Sequence, residues 1–516
     1  MSLHGVCAAC EISGVKLVGN GVDGSVHLLK YGKFDNVQLV EPIDWAMDPF
    51  KVLNWRHNFL SLRWLIKSVP LETKRAVIVS FYDFHCKARQ ANDMVGSRIG
   101  DHTTSIRIDE VLRLRNEFLA ADDHPVSALC EEILRADMAT LLSEKVYRSG
   151  HNHGVMADIS LLNAISIIGH PDKSIPNYIV SRGMKSLQSI FDSSGLTQEH
   201  SISYQEYNYP VANKFLKAAS KFDGLDKDFG NIDLSGATQK LLKFFTRTND
   251  EYIPVGDSFR RPNASIRKLC PEMVPSEEDV VSLGMPNNRL FCENGFFSYV
   301  KQADSRRRIH FVSVCAWHSA NHKQDDDLSF CLELDGQMIF DDPGYSDQVD
   351  KETTNALRNA NHHSTVCLDN VQYSNRGKTN GESKFTEWRE TDEGFVLAGQ
   401  QQRMPGVKFS RRFELNNNSL RISDQISTAD KSVGEHGFVL APDIHVRFEG
   451  GGVWLYRDYS VLGIIKPDEL DGEWVVTRIH YIGSDRHNLA QTLRLAYRAP
   501  IKSERKFSFN FSGINF

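Results

Sequence analysis

The sequence predicts an α+β multidomain protein, with an N-terminal incomplete α/α toroid followed by a C-terminal antiparallel β-sandwich. From about Asp44 to Thr246, large apolar side chains recur at spacings of three and four, which is typical of amphipathic helices. Beyond about Ser282, short β-like runs alternate with turns rich in Gly, Asn and Asp. Because the helical and strand patterns do not alternate along the chain, they indicate two segregated domains.

The predicted domain bounds are a lead segment at 1–40, the toroid at 41–265 and the sandwich at 266–516. A chain of 516 residues is too long for a single hydrophobic core. Gly256–Arg261, between Pro254 and Pro262, is interpreted as the start of the connection between the two domains.

The helical half opens with Trp55, Phe59, Leu62 and Leu65 on one helical face. Helical hairpins repeated in this way stack around a shared core, whereas a four-helix bundle would leave several helices without a place. The further predicted helices are Lys74–Asn92, Ile108–Ala121, Pro125–Glu144, Val155–Ile168, Tyr178–Phe191, Val211–Phe222 and Ala237–Thr246.

The strand half contains many short runs, which is typical of a sandwich. Asp335-Gly336 predicts a tight hairpin between Leu328–Leu334 and Gln337–Phe340. The other predicted strands are Phe291–Val300, His310–Ala316, Ser364–Leu368, Phe395–Gly399, Lys408–Leu415, Leu420–Gln425, His436–Leu440, Ile444–Phe448, Trp474–Tyr481, Gln491–Tyr497 and Lys506–Phe511.

Composition narrows the class of protein. The formal net charge of −6 argues against a dedicated nucleic-acid binder, and no apolar run is long enough to insert into a membrane. Nine cysteines, odd in number and irregularly spaced, indicate free thiols. The N-terminus lacks the pattern of a signal peptide, so the chain as written is expected in the cytoplasm; a removed natural leader would instead make it periplasmic or secreted.

Three stretches carry candidate functional residues. His322 and the acids 325–327 precede the predicted hairpin, so a sheet would hold them in place; the alternative is a solvated acidic loop with an ordinary histidine. His151-Asn152-His153 precedes an apolar helix and could hold an anion at the helix start, unless Asn152 is only an N-cap. Gln198 to Gln205 form a polar loop followed by Tyr207 and Tyr209, and the alternative role of this segment is surface or interface packing.

Taken in order, these stretches resemble the heparinase II/III-like polysaccharide lyases, a family that includes heparinase and alginate lyases. The family pairs an α/α toroid with an antiparallel β-sandwich and cleaves uronic-acid polysaccharides. The segments that carry the resemblance are HNHG with MAD and LL at 151–162, EHSISY at 199–204, HKQDDDLSF at 322–330, DPGY at 342–345 and HHSTV at 362–366. RRF at 411–413 and LRISD at 420–424 are similar to the family's later strands.

The resemblance implies a role for each matching residue. Asn152 with His153 would bind and neutralise the uronate carboxylate. Tyr204 would donate a proton to the leaving glycosidic oxygen, and is also a candidate for abstracting the C5 proton. His322 would act as a second base or proton carrier. Glu199, His151 and Tyr345 are expected to contact the substrate.

The resemblance also implies a structural divalent metal, zinc or calcium, in some relatives. The matching positions here are Gln324, Asp342 and His363, and Gln324 stands where many relatives have a histidine. Glutamine is a poor zinc ligand, so a water-filled or hydrogen-bonded replacement is the alternative. No other cofactor is expected.

The predicted function is a polysaccharide lyase that cleaves an acidic, uronic-acid-containing polysaccharide or oligosaccharide by β-elimination. One alternative is a uronate C5-epimerase, which abstracts the same proton and returns it. The other is a carbohydrate-binding or capsule-assembly protein without turnover, because a fold does not fix a function. The substrate is the only partner predicted.

Overall fold

The structure consists of two compact units. The computed structural model describes residues 16–17, 26–29, 37–40, 42–51, 53–87, 100–222, 232–262, 288–302, 308–346, 349–374 and 383–513. Unit 1 comprises Met1–Ile190 and Pro210–Asn231, and unit 2 comprises Phe191–Tyr209 and Ile232–Phe516. The predicted order, helices followed by antiparallel strands, is confirmed. The predicted boundary at 265/266 lies outside the described residues.

Unit 1 is mainly helical. Helix α3 packs against α4 and α5, and α5 packs against α6. A π-helical turn, Asp83–Lys87, continues α2. The elements are the antiparallel strands β1 (Lys16–Leu17), β2 (Val26–Leu29) and β3 (Val37–Val40), and the helices α1 (Leu53–Leu60), α2 (Leu71–Tyr82), α3 (Gly100–Ala120), α4 (His124–Leu142), α5 (Asn152–Ile168) and α6 (Ile175–Ile190).

The large apolar residues predicted for the first helix do form a core. Trp55, Phe59, Leu62 and Leu65 are all fully buried, and the rings of Trp55 and Phe59 stack at 5.1 Å. The helix itself is shorter than the spacing suggested, because α1 ends at Leu60 and Leu62 has a φ of +60°. A left-handed residue stops a right-handed helix, so the same side chains reach the core from a turn.

Helix α7 (Ile202–Ala219) begins well before the predicted Val211. The predicted helix started directly after Pro210, which in fact lies inside the helix. The Ser201 hydroxyl accepts a hydrogen bond from the backbone N–H of Tyr204 (3.3 Å), which is an N-cap interaction. The segment predicted as a polar loop followed by tyrosines is therefore helical from Ile202 onwards.

Unit 2 contains three antiparallel sheets in the described residues, ordered β4-β5-β6-β7-β8, β10-β11-β12-β13-β20-β17-β16-β15 and β18-β19-β14-β9. Its helices are α8 (Leu234–Phe245) and α9 (Lys351–Leu357). The strands are β4 (Asn288–Glu293), β5 (Phe296–Gln302), β6 (Arg308–Val314), β7 (Ser329–Leu334), β8 (Gln337–Phe340), β9 (Val366–Leu368), β10 (Lys384–Glu390), β11 (Phe395–Gln401), β12 (Val407–Leu415), β13 (Ser419–Thr428), β14 (Ser432–Val439), β15 (His445–Glu449), β16 (Gly452–Arg457), β17 (Ser460–Pro467), β18 (Glu473–Ile482), β19 (Leu489–Ile501) and β20 (Glu504–Gly513).

Phenylalanine side chains fill the space between these sheets. Phe311 on β6 lies 5.1 Å from Phe413 on β12, and Phe340 on β8 lies 5.1 Å from Phe511 on β20, between ring centroids. Phe330 on β7 contacts Phe438 on β14 at 6.3 Å. Aromatic pairs at these distances pack favourably, and they join all three sheets into one core.

Two hairpins have Asx-Gly turns, of which one was predicted and one was not. The Asp335-Gly336 hairpin is confirmed, with φ of +51° and +76° at the two turn residues. The predicted single strand Phe291–Val300 is wrong, because Asn294 and Gly295 adopt φ of +49° and +78° and fold it into β4 and β5. An Asn-Gly pair favours a two-residue hairpin turn, so Asn294-Gly295 is the sequence signal that marks the end of β4.

None of the described helices is both long enough and apolar enough to cross a bilayer.

Candidate active site

The structure brings Tyr204 and His322 together in unit 2. Tyr204 lies in the first turn of α7, and His322 lies in the loop between β6 and β7 with a φ of +54°. Their rings stack with centroids 3.5 Å apart and planes inclined by 22°. Both side chains are partly exposed, so they remain accessible to a ligand.

A buried carboxylate, that of Asp257, contacts the Nδ1 atom of the His322 ring. The Nδ1 of His322 lies 3.0 Å from Asp257 Oδ2. The amide of Gln324 donates to Asp257 Oδ1 (2.9 Å), and the guanidinium of Arg358 donates to the same oxygen through Nε (3.0 Å) and contacts Oδ2 through Nη2. His322 and Gln324, from one loop, and Arg358, from another, therefore converge on one carboxylate that is fully shielded from solvent.

Two other predicted residues lie in the same group. The Glu199 carboxylate is buried, lies 4.0 Å from His322 Nε2 and accepts a hydrogen bond from Asn208 Nδ2 (3.2 Å). The Tyr345 hydroxyl lies 3.4 Å from Arg358 Nη2, whose guanidinium stands 5.1 Å from the Tyr345 ring centroid.

The surroundings of Tyr204 favour its protonated form. Burial raises the pKa of the Tyr204 phenol well above its usual range, and the neighbouring Tyr345, Asp257 and Glu199 raise it further. A phenol in such surroundings can donate a proton to a developing alkoxide but is a poor candidate for a resting phenolate base.

The site depends on a close backbone approach at Gly256. A Cβ at this position would lie 2.2 Å from the carbonyl oxygen of His200 and 3.7 Å from that of His322. Gly256 and His200 both have φ of +58°. Glycine adopts a positive φ without strain, whereas His200 keeps this conformation only because the surrounding structure holds it.

The three acids after His322 are all paired and two of them are buried, so the alternative of a solvated acidic loop is wrong for those two. Asp326 and Asp327 are 1% and 0% exposed. The ammonium group of Lys323 lies 2.7 Å from Asp326 Oδ1, and Arg403 donates to Asp327 Oδ2 (2.6 Å) and to Asp325 Oδ1 (2.8 Å). These acids hold the loop that carries His322 and are not free to react.

The remaining predicted site residues form a second group, in unit 1. Asn152 is buried and is the first residue of α5. The N-cap is His151, whose Nδ1 accepts a hydrogen bond from the His153 N–H (3.1 Å), so Asn152 does not serve as the cap. That this group and the Tyr204 group act on one sugar stays a prediction.

Unit 1 adds two residues that sequence reasoning missed. The His153 ring stacks on His102 with centroids 4.9 Å apart, and its Nδ1 lies 3.4 Å from Asp101 Oδ2. Burial alone would raise the pKa of Asp101, but His153, the His102 N–H and Arg148 outweigh it and lower that pKa to about 2. Asp101 is thus a carboxylate at neutral pH, and no local motif had marked it.

The residues predicted for a metal make other contacts. His363 Nδ1 lies 3.0 Å from Asp342 Oδ2, while the Gln324 amide donates to Asp257. His363 Nε2 and Gln324 Oε1 are buried and have no hydrogen-bond partner among the described residues. Within that part of the chain, no group of three or more His, Cys, Asp or Glu is arranged to hold a metal ion. This donor set does not fit a structural zinc ion, which takes four ligands.

Comparisons with known proteins agree with the fold. The Heparinase III-BT4657 gene product is 15% identical over 93% of this chain and 81% of its own, with a TM-score of 0.68. A second structure of heparinase III is 16% identical over 92% and 79%, also at 0.68. Heparan sulfate lyase HepC from Pedobacter heparinus is 17% identical over 95% and 82%, at 0.61. A comparison with curated proteins gave no match.

The architecture is therefore that of the heparinase III structures, a helical region followed by antiparallel sheets. Residues 293–499 match the family model for the heparinase II/III-like C-terminal domain. The resemblance predicted from the sequence is therefore confirmed for this part of the chain.

Proposed function

We propose that this protein is a polysaccharide lyase that cleaves a uronic-acid-containing polysaccharide by β-elimination and leaves an unsaturated uronate end. The observation that carries the proposal is the stacked pair of Tyr204 and His322, at 3.5 Å between ring centroids. A proton donor and a proton acceptor side by side are what an elimination across two adjacent carbons requires.

The reaction needs two proton transfers and no water. His322 Nε2 takes the C5 proton, and the electron pair of the C–H bond becomes the C4–C5 double bond. The bond from C4 to the glycosidic oxygen breaks, and the Tyr204 hydroxyl gives its proton to that oxygen. Tyr204 and His322 then exchange protons with solvent and return to their starting states.

The division of roles follows from the surroundings of each ring. The raised pKa of Tyr204 keeps its proton in place until an alkoxide forms, which supports the acid role rather than the base role. His322 Nδ1 lies on Asp257, so Nε2 is the ring atom left to accept a proton.

The carboxylate of the sugar must also be neutralised. Removing a proton beside a carboxylate places a second negative charge on it, and aligned hydrogen-bond donors stabilise that charge. For Asn152 and His153 we retain the role that the resemblance implies, donation of charge-assisted hydrogen bonds to the uronate carboxylate.

The test is a panel of acidic polysaccharides monitored by the ultraviolet absorbance of the unsaturated uronate. Growth of this absorbance is expected with at least one polymer. Tyr204→Phe and His322→Ala should each lower kcat by about 10²–10⁴-fold, which is the usual contribution of a general acid or base. Tyr207→Phe, one turn along the same helix, is the matched control and should stay within a few-fold of wild type.

Other outcomes would point to other functions. Solvent deuterium appearing at C5 of intact polymer, without growth in absorbance, would indicate the C5-epimerase. Binding of polymer with neither signal would indicate a non-catalytic carbohydrate-binding protein. An active Tyr204→Phe enzyme would remove Tyr204 from the mechanism.

A further inference from the structure

Asp257 holds the ring of His322 in one orientation. We propose that Asp257 is a positioning residue that fixes the Nδ1–H tautomer of His322 and so leaves Nε2 as the base. The inference rests on the proposed lyase function for its catalytic meaning, but the tautomer itself can be measured without any substrate.

The hydrogen-bonding capacity of a carboxylate sets the tautomer. An ionised carboxylate only accepts hydrogen bonds, so a neutral His322 in contact with Asp257 Oδ2 at 3.0 Å must carry its hydrogen on Nδ1. The nearest acid to Nε2 is the Glu199 carboxylate, at 4.0 Å, which is beyond hydrogen-bond distance. Nε2 therefore keeps its lone pair for another partner.

The charge of Asp257 is compensated by a residue other than His322. Its side chain is fully buried, and an isolated buried charge is strongly unfavourable. Arg358 contacts both carboxylate oxygens, in the paired geometry that binds a carboxylate most firmly. The histidine therefore need not be protonated to balance the acid.

Gln324 completes the set of donors around Asp257. Its Nε2 donates to Oδ1 (2.9 Å), the oxygen that also accepts from Arg358 Nε. These two donors fix the orientation of the Asp257 carboxylate, and the carboxylate in turn fixes the orientation of the His322 ring. Gln324 therefore supports the proposed base, His322, indirectly, through its hydrogen bond to Asp257.

The backbone links Asp257 to the proposed acid as well as to the base. The Ser201 hydroxyl donates to the carbonyl oxygen of Asp257 (2.9 Å) and accepts from the N–H of Tyr204 (3.3 Å). Ser258 Oγ, on the next residue, accepts from the N–H of Ile202 (2.9 Å). The segment that carries Asp257 thus also fixes the start of the helix that carries Tyr204.

The experiment measures the tautomer by nitrogen NMR of protein labelled with ¹⁵N-histidine, at a pH well above the usual histidine pKa of about 6.5. A His322→Gln variant identifies the His322 signals by their disappearance. Wild type is expected to show the Nδ1–H form. In Asp257→Asn the amide oxygen can keep Arg358 while the NH₂ group faces His322 Nδ1, so the signal should switch to the Nε2–H form.

The kinetic experiment compares the effect of each substitution on kcat with its effect on KM. Asp257→Asn should lower kcat by about 10²–10⁴-fold, because the wrong tautomer cannot act as the base. KM should stay within a few-fold, since Asp257 is buried and touches no substrate. Gln324→Leu removes one donor only and should keep the Nδ1–H form with a several-fold fall in kcat.

Asp424→Asn is the matched control. Asp424 is an equally buried carboxylate in unit 2 that also pairs with an arginine, Arg411, and a histidine, His436. The variant should destabilise the protein and alter the His436 signals while leaving those of His322 unchanged.

The results separate the two proposals. An Nε2–H or doubly protonated His322 in wild type would overturn the positioning role even if the protein is an active lyase. An Nδ1–H ring in a protein that cleaves no polysaccharide would support the positioning geometry and count against the lyase. Should Asp257→Asn not fold, the wild-type and Gln324→Leu spectra still decide the question.

Discussion

Replacing Gly256 by alanine tests whether the backbone around the site is as closely packed as the structure shows. The residue has a φ of +58°, and an added Cβ would lie 2.2 Å from the carbonyl oxygen of His200. A left-handed conformation disfavours alanine by about 1–2 kcal/mol. Overlap with a backbone atom adds about 1–3 kcal/mol.

The chain offers a control for the conformational part alone. Gly406 has a φ of +74°, and a Cβ there would meet nothing within 4 Å. Gly406→Ala should therefore lower the stability of the folded state by only about 1–2 kcal/mol. The difference between the two variants measures the overlap at the site.

Calorimetry and turnover together decide the outcome. At about 2–4 °C per kcal/mol for a large domain, Gly406→Ala should lower the Tm by a few degrees and Gly256→Ala by several degrees more. Gly256→Ala should also lose turnover, because the displaced segment carries Asp257, whereas Gly406→Ala should not. Equal Tm shifts and equal activities for the two variants would refute the reasoning.

Two further predictions concern buried charges. Arg411 and His436 outweigh the burial of Asp424 and lower its pKa to about 2, and burial lowers the pKa of His436 to about 4. Both pKa values lie below those of the same groups in the unfolded chain, so acidification destabilises the folded state. The stability linked to His436 is lost as the pH falls from about 6.5 to 4, and that linked to Asp424 as it falls from about 4 to 2. Together the two losses amount to about 2 kcal/mol or more. Thermal unfolding from pH 7 to pH 4 checks the first loss, and a Tm that rises over that range would contradict it. In unit 1, Arg107→Met should destabilise by about 3–5 kcal/mol, because it removes the guanidinium that pairs with the fully buried Asp137 and leaves His85 as the side chain in contact with that carboxylate; a denaturation midpoint unchanged from wild type would contradict this expectation.

The parts of the site that sequence reasoning found are those with a local signal. The Asp335-Gly336 turn fixed the hairpin after His322, and the apolar periodicity of α5 placed His151 to His153 at a helix start. Tyr204 was found through the resemblance, although its helix was not, because the predicted helix began only at Val211.

Asp257 and Arg358 had no such signal. Asp257 lies in a short segment that appeared to be only a connection, and it meets His322 across 65 positions of sequence. Arg358 follows a helix of seven residues and meets Asp257 across 101 positions. Contacts of this kind arise from sheet and loop packing, which periodicity and turn chemistry do not encode.

The most direct test of the central claim compares wild type with Tyr204→Phe on the most reactive polymer of the panel. The two rates of absorbance growth should differ by about 10² or more, since only the phenol can protonate the leaving oxygen. Equal rates, or polymer that shortens without any gain in absorbance, would contradict elimination by this pair of residues.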